Sequence, residues 1–199
     1  MFELENKDVL VIGLGGRGQA ACELLCRGGA RVAGVDDADT PELREGAARL
    51  IPLGVKVTLG AGAVPDQKFD LVVISPAVRV DSRLRQALKG NPVRVIGELE
   101  LGFHQAKCLT VAIGGTNGKA TTAGFLESVL AHNHRKILLA GHRGRPICSV
   151  EEQTRDLDFL ILRVNSFQLE LTEHFRPSVA ILMNLAPDHL DRYASAADY

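Results

Sequence analysis

Two glycine-rich stretches of the sequence carry the residue types that cradle a phosphate group. The first is GLGGRG, residues 13–18, which has the spacing G-x-G-x-x-G, and the second is GGTNGKAT, residues 114–121. Each follows an apolar run and precedes a helix-forming segment, so backbone N–H groups at the start of a helix would face a bound phosphate. Lys119 adds a positive charge to the second stretch. Both stretches therefore indicate nucleotide chemistry.

The first stretch is followed by a carboxylate at the end of the next apolar run. Asp36 comes 18 residues after Gly18, at a position where a carboxylate can accept a hydrogen bond from a ribose hydroxyl. A nucleotide-sugar diphosphate and a dinucleotide pyrophosphate make the same demand on this turn, so both ligands stay open. A glycine turn that only lets a helix pack on a sheet is the remaining alternative. Arg17 is a candidate phosphate contact, with a solvent-facing side chain as the other interpretation.

The second stretch departs from the common phosphate-loop pattern G-x-x-x-x-G-K-[ST]. Ile113 stands five residues before Gly118, and Ala120 replaces the hydroxyl residue that holds magnesium in such loops. The stretch fits a shorter form, G-T-N-G-K-x-T. The backbone N–H groups of such a loop remain available whatever its side chains are.

Strand-like and helix-like segments alternate along the chain, which predicts α/β architecture with parallel sheets. Short apolar runs typical of buried parallel strands occupy residues 8–13, 31–36, 55–60, 70–76, 93–97, 109–115, 136–141, 157–164 and 178–184. Helical patterns occupy residues 17–29, 40–54, 81–90, 98–108 and about 119–132. Thr40 followed by Pro41 is typical of an N-cap and a first helical residue. The first half is predicted to be a doubly wound, Rossmann-like sheet with helices on both faces.

The pattern restarts after residue 107, and we place a domain boundary there. Residues 1–107 would form the first domain, and residues 108–199 the first, incomplete part of a second α/β domain of the P-loop type. No Pro- or Ser-rich linker separates the two, so they are expected to pack closely. Glu98 and Glu100 flank Leu99 and project from different sides of a helix. We expect them to be solvated or to cap the helix, not to form a catalytic pair.

Composition excludes several classes of partner. The chain has 199 residues, a net charge of −1, 46% hydrophobic residues and 5% aromatic residues. Neither a nucleic-acid backbone nor a membrane surface is an expected partner of such a chain. No apolar run approaches the ~20 residues of a membrane span. The four cysteines lack metal-ligand spacing and are expected to be reduced, which favours a cytoplasmic location. The oligomeric state stays open, with a monomer expected.

The form G-T-N-G-K-x-T resembles the phosphate loop of the Mur ligases, the ATP-dependent ligases of peptidoglycan precursor synthesis. Four further stretches match that family in the same order. They are VIGLGGRG near the N-terminus, SPAV at 75–78, SFQLE at 166–170 and NLAPDHLDRY at 184–193. Five ordered matches cover nearly the whole chain. The resemblance is nearest to the members that add D-glutamate to UDP-N-acetylmuramoyl-L-alanine through an acyl phosphate, a step in cell-wall biogenesis that bears on cell shape and division.

The resemblance implies a first domain that binds the UDP part of the substrate and a central domain that binds ATP and Mg²⁺. A third domain, which would bind the amino acid, lies outside this sequence. Lys119 and His189 are the implied catalytic residues, with His189 near a second Mg²⁺. The implied ATP site comprises Gly115, Thr116, Asn117, Gly118, Lys119, Ala120 and Thr121. The implied UDP-substrate site comprises Gly15, Gly16, Arg17, Asp36, Asp37, Ser75, His142 and Ser166.

Several positions depart from the family pattern, and two of them concern one metal ion. Ala120 lacks the hydroxyl, and Arg163 stands where the family has a glutamate ligand of magnesium. His142 replaces the asparagine of the family's GNIG, and Asn165 replaces the first serine of E-L-S-S-F-Q-L-E. Magnesium binding should therefore be severely weakened. Arg163 either takes the place of the missing cation and touches phosphate, or points to solvent in a dead site.

Three functional hypotheses remain open at the level of sequence. The chain is part of a D-glutamate-adding ligase, or a degenerate relative that only binds a nucleotide or a UDP-sugar. The remote alternative is a nicotinamide-dependent oxidoreductase domain, because GLGGRG followed by Asp36 also suits a dinucleotide. That alternative leaves GGTNGKAT, SFQLE and DHLDRY unexplained.

Overall fold

The computed structural model describes residues 3–199. The first two residues of the predicted first domain lie outside the described residues. Two parallel sheets form the framework. The first has five strands in the order β3-β2-β1-β4-β5, with the bounds β1 Asp8–Ile12, β2 Arg31–Val35, β3 Lys56–Thr58, β4 Leu71–Ile74 and β5 Arg94–Gly97. The helices that connect and flank them are α1 Gly16–Arg27, α2 Pro41–Leu50, α3 Arg83–Gln86 and α4 Glu98–Gln105.

The second sheet has four parallel strands in the order β7-β8-β6-β9. Their bounds are β6 Leu109–Gly114, β7 Ile137–Gly141, β8 Phe159–Arg163 and β9 Val179–Leu182. Helix α5 is Lys119–His132, the range that the sequence predicted, and α6 is Ser166–Leu169. The predicted α/β class with parallel sheets is confirmed.

Local sequence explains why these elements form. Four of the five β1 residues are buried, as expected for a central strand covered on both faces. The Thr40 hydroxyl accepts the N–H of Leu43 and Pro41 opens α2, which confirms the predicted cap. Asn165 caps α6 through a reciprocal capping box with Gln168.

Each sheet has a topological switch point, where the chain connections run in opposite directions on the two sides of one central strand. In the first sheet β1 lies between β2 and β4, and in the second β6 lies between β8 and β9. Ligands of open α/β sheets bind in the crevice that opens where such strands end. The two glycine-rich stretches follow β1 and β6 directly.

The predicted boundary near residue 107 falls in the short connection between α4 and β6. Helices α1 and α4 both contact a single 3₁₀ turn, Ile147–Ser149, that belongs to the second half of the chain. The turn places Ile147 and Cys148 in the same buried cluster as Leu99 and Leu101 of α4. Apolar packing therefore joins the two sheets, while the division into two domains stays a prediction.

The expectation that Glu98 and Glu100 are solvated or cap the helix is wrong. Both side chains are fully buried. Glu98 accepts hydrogen bonds from the Cys148 N–H at 3.0 Å and from Arg17. Glu100 accepts from the His174 N–H at 2.8 Å and pairs with His104 Nε2 at 2.9 Å. The helix pattern could not reveal this burial, because the surface that covers α4 comes from distant parts of the chain.

Among residues 3–199, no helix is long and apolar enough to cross a membrane.

Candidate nucleotide site at the rims of the two sheets

The glycine-rich loop after β1 is shaped by one close approach and one carboxylate. A Cβ atom on Gly18 would overlap the Gly13 carbonyl oxygen, so only glycine lets α1 start this near the strand. Asp36 accepts the N–H of Leu14 at 2.6 Å and the N–H of Ala38 at 3.0 Å. Its carboxylate therefore braces the loop, and a ribose contact would use its remaining lone pairs.

A pocket of about 760 Å³ opens at this rim of the first sheet. Four residues of the predicted UDP-substrate site line it, namely Gly15, Asp36, Asp37 and Ser75. Sequence reasoning missed a polar wall that follows the SPAV stretch, formed by Arg79, Asp81, Ser82 and Arg83. The run of charged residues directly after SPAV was the available signal for it.

The Arg17 side chain does not line this pocket and turns toward the second sheet. Its Nη1 donates to Oε2 of Glu98 at 3.2 Å, and its Nη2 donates to the Gly141 carbonyl at 2.9 Å. Gly141 ends β7. Arg17 thus connects the glycine-rich loop of one sheet with the rim of the other. Gly16, the first residue of α1, has open space where a Cβ would stand.

Asn184 accepts two hydrogen bonds from the phosphate loop after β6. The Asn184 carbonyl accepts the Thr116 N–H at 3.0 Å, and its side-chain Oδ1 accepts the Asn117 N–H at 3.0 Å. Gly115 has a φ of 123°, and a Cβ there would stand 2.9 Å from the Asn184 carbonyl oxygen. Gly118 caps α5 in the left-handed region with a φ of 85°. The loop is therefore fixed before any ligand arrives.

Lys119 lies inside the phosphate loop as its first helical residue. Its ammonium group donates to the Gly115 carbonyl and, at 3.0 Å, to the Thr116 carbonyl. Burial lowers its pKa, Asp188 opposes that change and Arg143 adds to it. The first four N–H groups of an α-helix have no partner within the helix, so the start of α5 offers donors beside this cation. Ala120 and Thr121 in that first turn are exposed.

Two of the departures from the family pattern contact each other. Asn165 Nδ2 lies 3.0 Å from Nδ1 of His142. The amide orientation follows from the helix cap, because Asn165 Oδ1 accepts the Gln168 N–H at 3.1 Å. Nδ1 of His142 must then be the acceptor, which leaves its proton on Nε2. Burial, together with the positive charges around it, lowers the pKa of His142 to about 4, so the ring is neutral at pH 7.

Those positive charges form a cluster that we call the cationic rim, consisting of Lys119, Arg17, Arg143 and Arg163. Arg163 ends β8, where it pairs in register with Gly141 of β7. Its Nη2 donates to the Arg143 carbonyl at 3.1 Å. Arg143 itself has a φ of 53°, an uncommon backbone conformation that recurs at ligand sites. The side chain packs against the β7 loop, so it does not simply point to solvent, and a contact with phosphate stays a prediction.

Residues 120 and 163 do not fit the magnesium ion that the family pattern places between them. The ligands of this ion are oxygen atoms, mostly from carboxylates and phosphates. Ala120 offers none, and Arg163 brings a positive charge to the place where the family has a carboxylate. In the part of the chain that the structure describes, no group of three or more His, Cys, Asp and Glu side chains could hold a metal ion.

His189 lies near Tyr199, whose hydroxyl shares a hydrogen bond with Thr116 of the phosphate loop, and the His189 ring packs at a tilt against Phe167. Its ring centroid is 4.6 Å from that of Phe167, and its Nε2 is 3.6 Å from Oδ2 of Asp188. Its φ of 54° is positive. Asp188 acts electrostatically on Lys119 as well. The structure therefore brings Asp188 and His189 to the phosphate loop, and a metal-binding role for His189 stays a prediction.

Glu170, the carboxylate of SFQLE, takes part in a hydrogen-bond network that includes residues of NLAPDHLDRY and SPAV. Glu170 accepts from Arg192 at 2.9 Å, from the Tyr193 hydroxyl at 2.9 Å and from Arg85 at 3.3 Å. Arg192 also donates to the Pro76 carbonyl of SPAV at 3.0 Å. Three stretches that are far apart in sequence thus meet in one network. The hydroxyl of Ser166, four residues before Glu170, is buried at the start of α6.

The comparisons with known proteins point to one family. The Mur ligase middle domain model matches residues 113–199, which begin at the end of β6 and include the phosphate loop. That part of the chain thus matches the Mur ligase family, and the whole chain is similar to D-glutamate-adding members of it. The chain is 38% identical over its whole length to the UDP-N-acetylmuramoylalanine–D-glutamate ligase of Acidobacterium capsulatum, and covers 43% of that relative. It is 35% identical to the ligase of the same name from Caldanaerobacter subterraneus subsp. tengcongensis, and covers 44% of it.

A solved Mur ligase structure has the same fold. The UDP-N-acetylmuramate:L-alanyl-gamma-D-glutamyl-meso-diaminopimelate ligase of Neisseria meningitides superposes with a TM-score of 0.55 at 21% identity. The match covers 96% of this chain and 64% of that one. The chain thus spans less than half the length of the curated Mur ligases that it matches.

Proposed function

We propose that this chain supplies the UDP-substrate pocket and the ATP phosphate loop of a Mur ligase that adds D-glutamate to UDP-N-acetylmuramoyl-L-alanine. The observation that carries the proposal is the contact between the two rims. Arg17 of the glycine-rich loop donates to the Gly141 carbonyl at the end of β7. That strand is separated from the phosphate-loop strand β6 only by β8. A long substrate lying in the first pocket would extend toward the phosphate loop.

In this proposal the pocket of the first sheet takes the uridine and diphosphate end of the substrate. Asp36 and Asp37 offer acceptors to ribose and base, and Ser75 offers a hydroxyl beside them. The N-terminus of α1 faces the diphosphate, since its first N–H groups have no partner within the helix. Neutral His142 presents an Nε2–H donor at the second rim, where the muramoyl end would arrive.

The family chemistry that follows is ATP-driven amide formation. The substrate carboxylate attacks the γ-phosphorus of ATP, ADP leaves, and an acyl phosphate results. The D-glutamate amine then attacks the acyl carbon, and phosphate leaves as the amide bond forms. Lys119 would neutralise charge that accumulates on the transferred phosphoryl oxygens. We expect the reaction to take place in the cytoplasm.

A second candidate is a module that binds these ligands without the ligase reaction. The specific observation in its favour is the poor fit of magnesium, because Ala120 and Arg163 lack the expected ligand atoms. The missing metal would affect phosphoryl transfer more than binding, since the loop N–H groups and Lys119 do not depend on it.

Calorimetric titration with UDP-N-acetylmuramoyl-L-alanine, and separately with ATP, tests the proposal. We expect saturable binding of both ligands. The Lys119→Met variant should bind ATP more weakly and should bind the UDP-substrate with unchanged affinity. Arg135→Gln is the control, because this exposed residue precedes β7 and so lies at the amino ends of the strands, away from the phosphate loop at their carboxyl ends. NADH binding that the UDP-substrate cannot displace would instead support the oxidoreductase alternative. ADP formation from ATP that requires UDP-N-acetylmuramoyl-L-alanine would distinguish the ligase chemistry from a binding module.

A further inference from the structure

Four cations of the cationic rim surround a single neutral imidazole. Arg17, Lys119, Arg143 and Arg163 each lie near enough to His142 to act on its charge. Backbone contacts fix their places: the His142 N–H donates to the Arg163 carbonyl at 2.6 Å, and Arg17 reaches the Gly141 carbonyl next to it. Arg17 pairs with Glu98 and Asp188 lies near Lys119, but among the described residues Arg143 and Arg163 form no ion pair, and an anion bound between them would relieve their repulsion.

Arg163 lies on the phosphate-loop side of the second sheet. Side chains of a strand alternate between its faces, so Arg163 shares a face with Ile161. Ile161 packs in one cluster with Ala123 of α5. Helix α5 begins at Lys119, so the Arg163 guanidinium lies on the face of the sheet where the phosphate loop opens.

The Arg163 guanidinium has donor capacity that the described protein does not use. It carries five N–H donors, of which Nη2 donates to the Arg143 carbonyl. Its Nε is buried and has no hydrogen-bond partner among the described residues. A buried donor without a partner costs free energy, and a phosphate oxygen would remove that cost.

We propose that Arg163 and Arg143 stand in for the divalent cation, so that nucleotide phosphates bind at the cationic rim without magnesium. The proposal rests on the proposed function, since it takes the phosphate loop as the nucleotide site. A guanidinium can donate to two phosphate oxygens at once. A carboxylate cannot contact a phosphate in this way and needs the magnesium ion between them. Free ATP carries more negative charge than its magnesium complex. The rim therefore favours the metal-free nucleotide.

The decisive measurement is the Kd of ATP for the whole chain in EDTA and in excess Mg²⁺, at constant ionic strength. We expect ATP to bind in EDTA at least as tightly as with Mg²⁺. A Kd that is about tenfold or more weaker in EDTA overturns this inference and leaves the proposed function standing. No ATP binding under either condition overturns both.

Two charge variants localise the effect. Arg163→Glu restores the family carboxylate and should weaken ATP binding in EDTA by about tenfold or more. Arg143→Gln changes an exposed residue and should also weaken ATP binding in EDTA. It provides the measurement if Arg163→Glu fails to fold. Arg135→Gln should change the Kd less than about twofold. Unchanged ATP affinity in both rim variants overturns the inference.

A gain-of-function variant completes the test. Ala120→Ser combined with Arg163→Glu returns both missing ligands, so this double variant should bind ATP more tightly with Mg²⁺ than in EDTA. The reversal of the metal preference is the expected result, with Ala120→Ser alone as the matched control. A double variant that still prefers the metal-free nucleotide contradicts the assigned role of Arg163.

Discussion

Arg17 Nη1 lies 3.2 Å from Oε2 of Glu98, a carboxylate that has no exposed surface. The two residues are 81 positions apart, one in the first turn of α1 and the other in the first turn of α4. The same carboxylate accepts the Cys148 N–H from the second half of the chain. One buried charge thus holds together the glycine-rich loop, the helix between the sheets and the rim of the second sheet.

Glu98→Gln should become more stable relative to the wild type as pH rises. Burial raises the pKa of Glu98, against the opposing effects of the Cys148 N–H and of Arg17. A raised pKa means that the stabilising contribution is complete below the ordinary value and is lost as pH rises through the folded-state pKa. Glutamine cannot ionise. Urea unfolding from about pH 4 to about pH 7 should therefore show the difference in unfolding free energy moving in favour of the variant.

The exposed Glu152→Gln variant is the matched control, and its difference from the wild type should stay nearly flat over the same range. A Glu98→Gln difference that instead moves in favour of the wild type with rising pH would mean that Arg17 outweighs burial.

Gly18→Ala should destabilise the chain by about 2 kcal/mol or more, because its Cβ would overlap the Gly13 carbonyl oxygen and push α1 from β1. Gly16→Ala is its control in the same loop. A Cβ there meets nothing within 4 Å, so the unfolding free energy should change by less than about 1 kcal/mol. Chemical denaturation measures both. Equal costs for the two variants would refute the close-approach argument.

Glu170→Ala should cost about 3 kcal/mol of unfolding free energy. The substitution leaves Arg192, whose side chain is only 7% exposed, without its carboxylate, and it also removes the acceptor of Tyr193. Glu45→Ala removes an exposed i,i+4 pair with Arg49 and should cost less than about 0.5 kcal/mol. Thermal and urea unfolding provide the comparison, and a cost for Glu170→Ala as small as that of Glu45→Ala would show that the network contributes little.

His142 should titrate near pH 4 in an NMR experiment, well below its ordinary pKa, because it is half-buried and faces four cations. A lowered histidine pKa stabilises the fold above the ordinary value and loses that contribution as pH falls through the folded-state pKa. Arg143→Gln removes one cation and should move the pKa of His142 upward, while Arg135→Gln should leave it in place. A pKa that does not move in Arg143→Gln would contradict the cationic rim.

Local features of the sequence were enough for the elements of the fold. The apolar runs that became β1, β6 and β8 are recognisable without tertiary information, because a strand covered on both faces needs apolar residues throughout. The start of α5 at Lys119 was predictable from the glycines before it. The order of matching motifs also predicted the family. What the sequence could not indicate was the direction of single side chains at the rims.

Two residues illustrate that limit. Glu98 reads as a polar residue on an exposed helix, yet packing against Cys148 and Arg17 removes it from water. Arg163 reads as a lost metal ligand, yet the β7 loop gives it a carbonyl partner and the strand register places it beside other cations.

The sequence by itself determined which segments become strands and helices, because that property depends on neighbouring residues, and for the same reason it predicts where a phosphate could bind. Only the tertiary structure decided which charges face one another across the rims. Partners such as Arg17 and Glu98, or His142 and Asn165, are brought together by the packing of whole elements, and the pKa of each group depends on that packing.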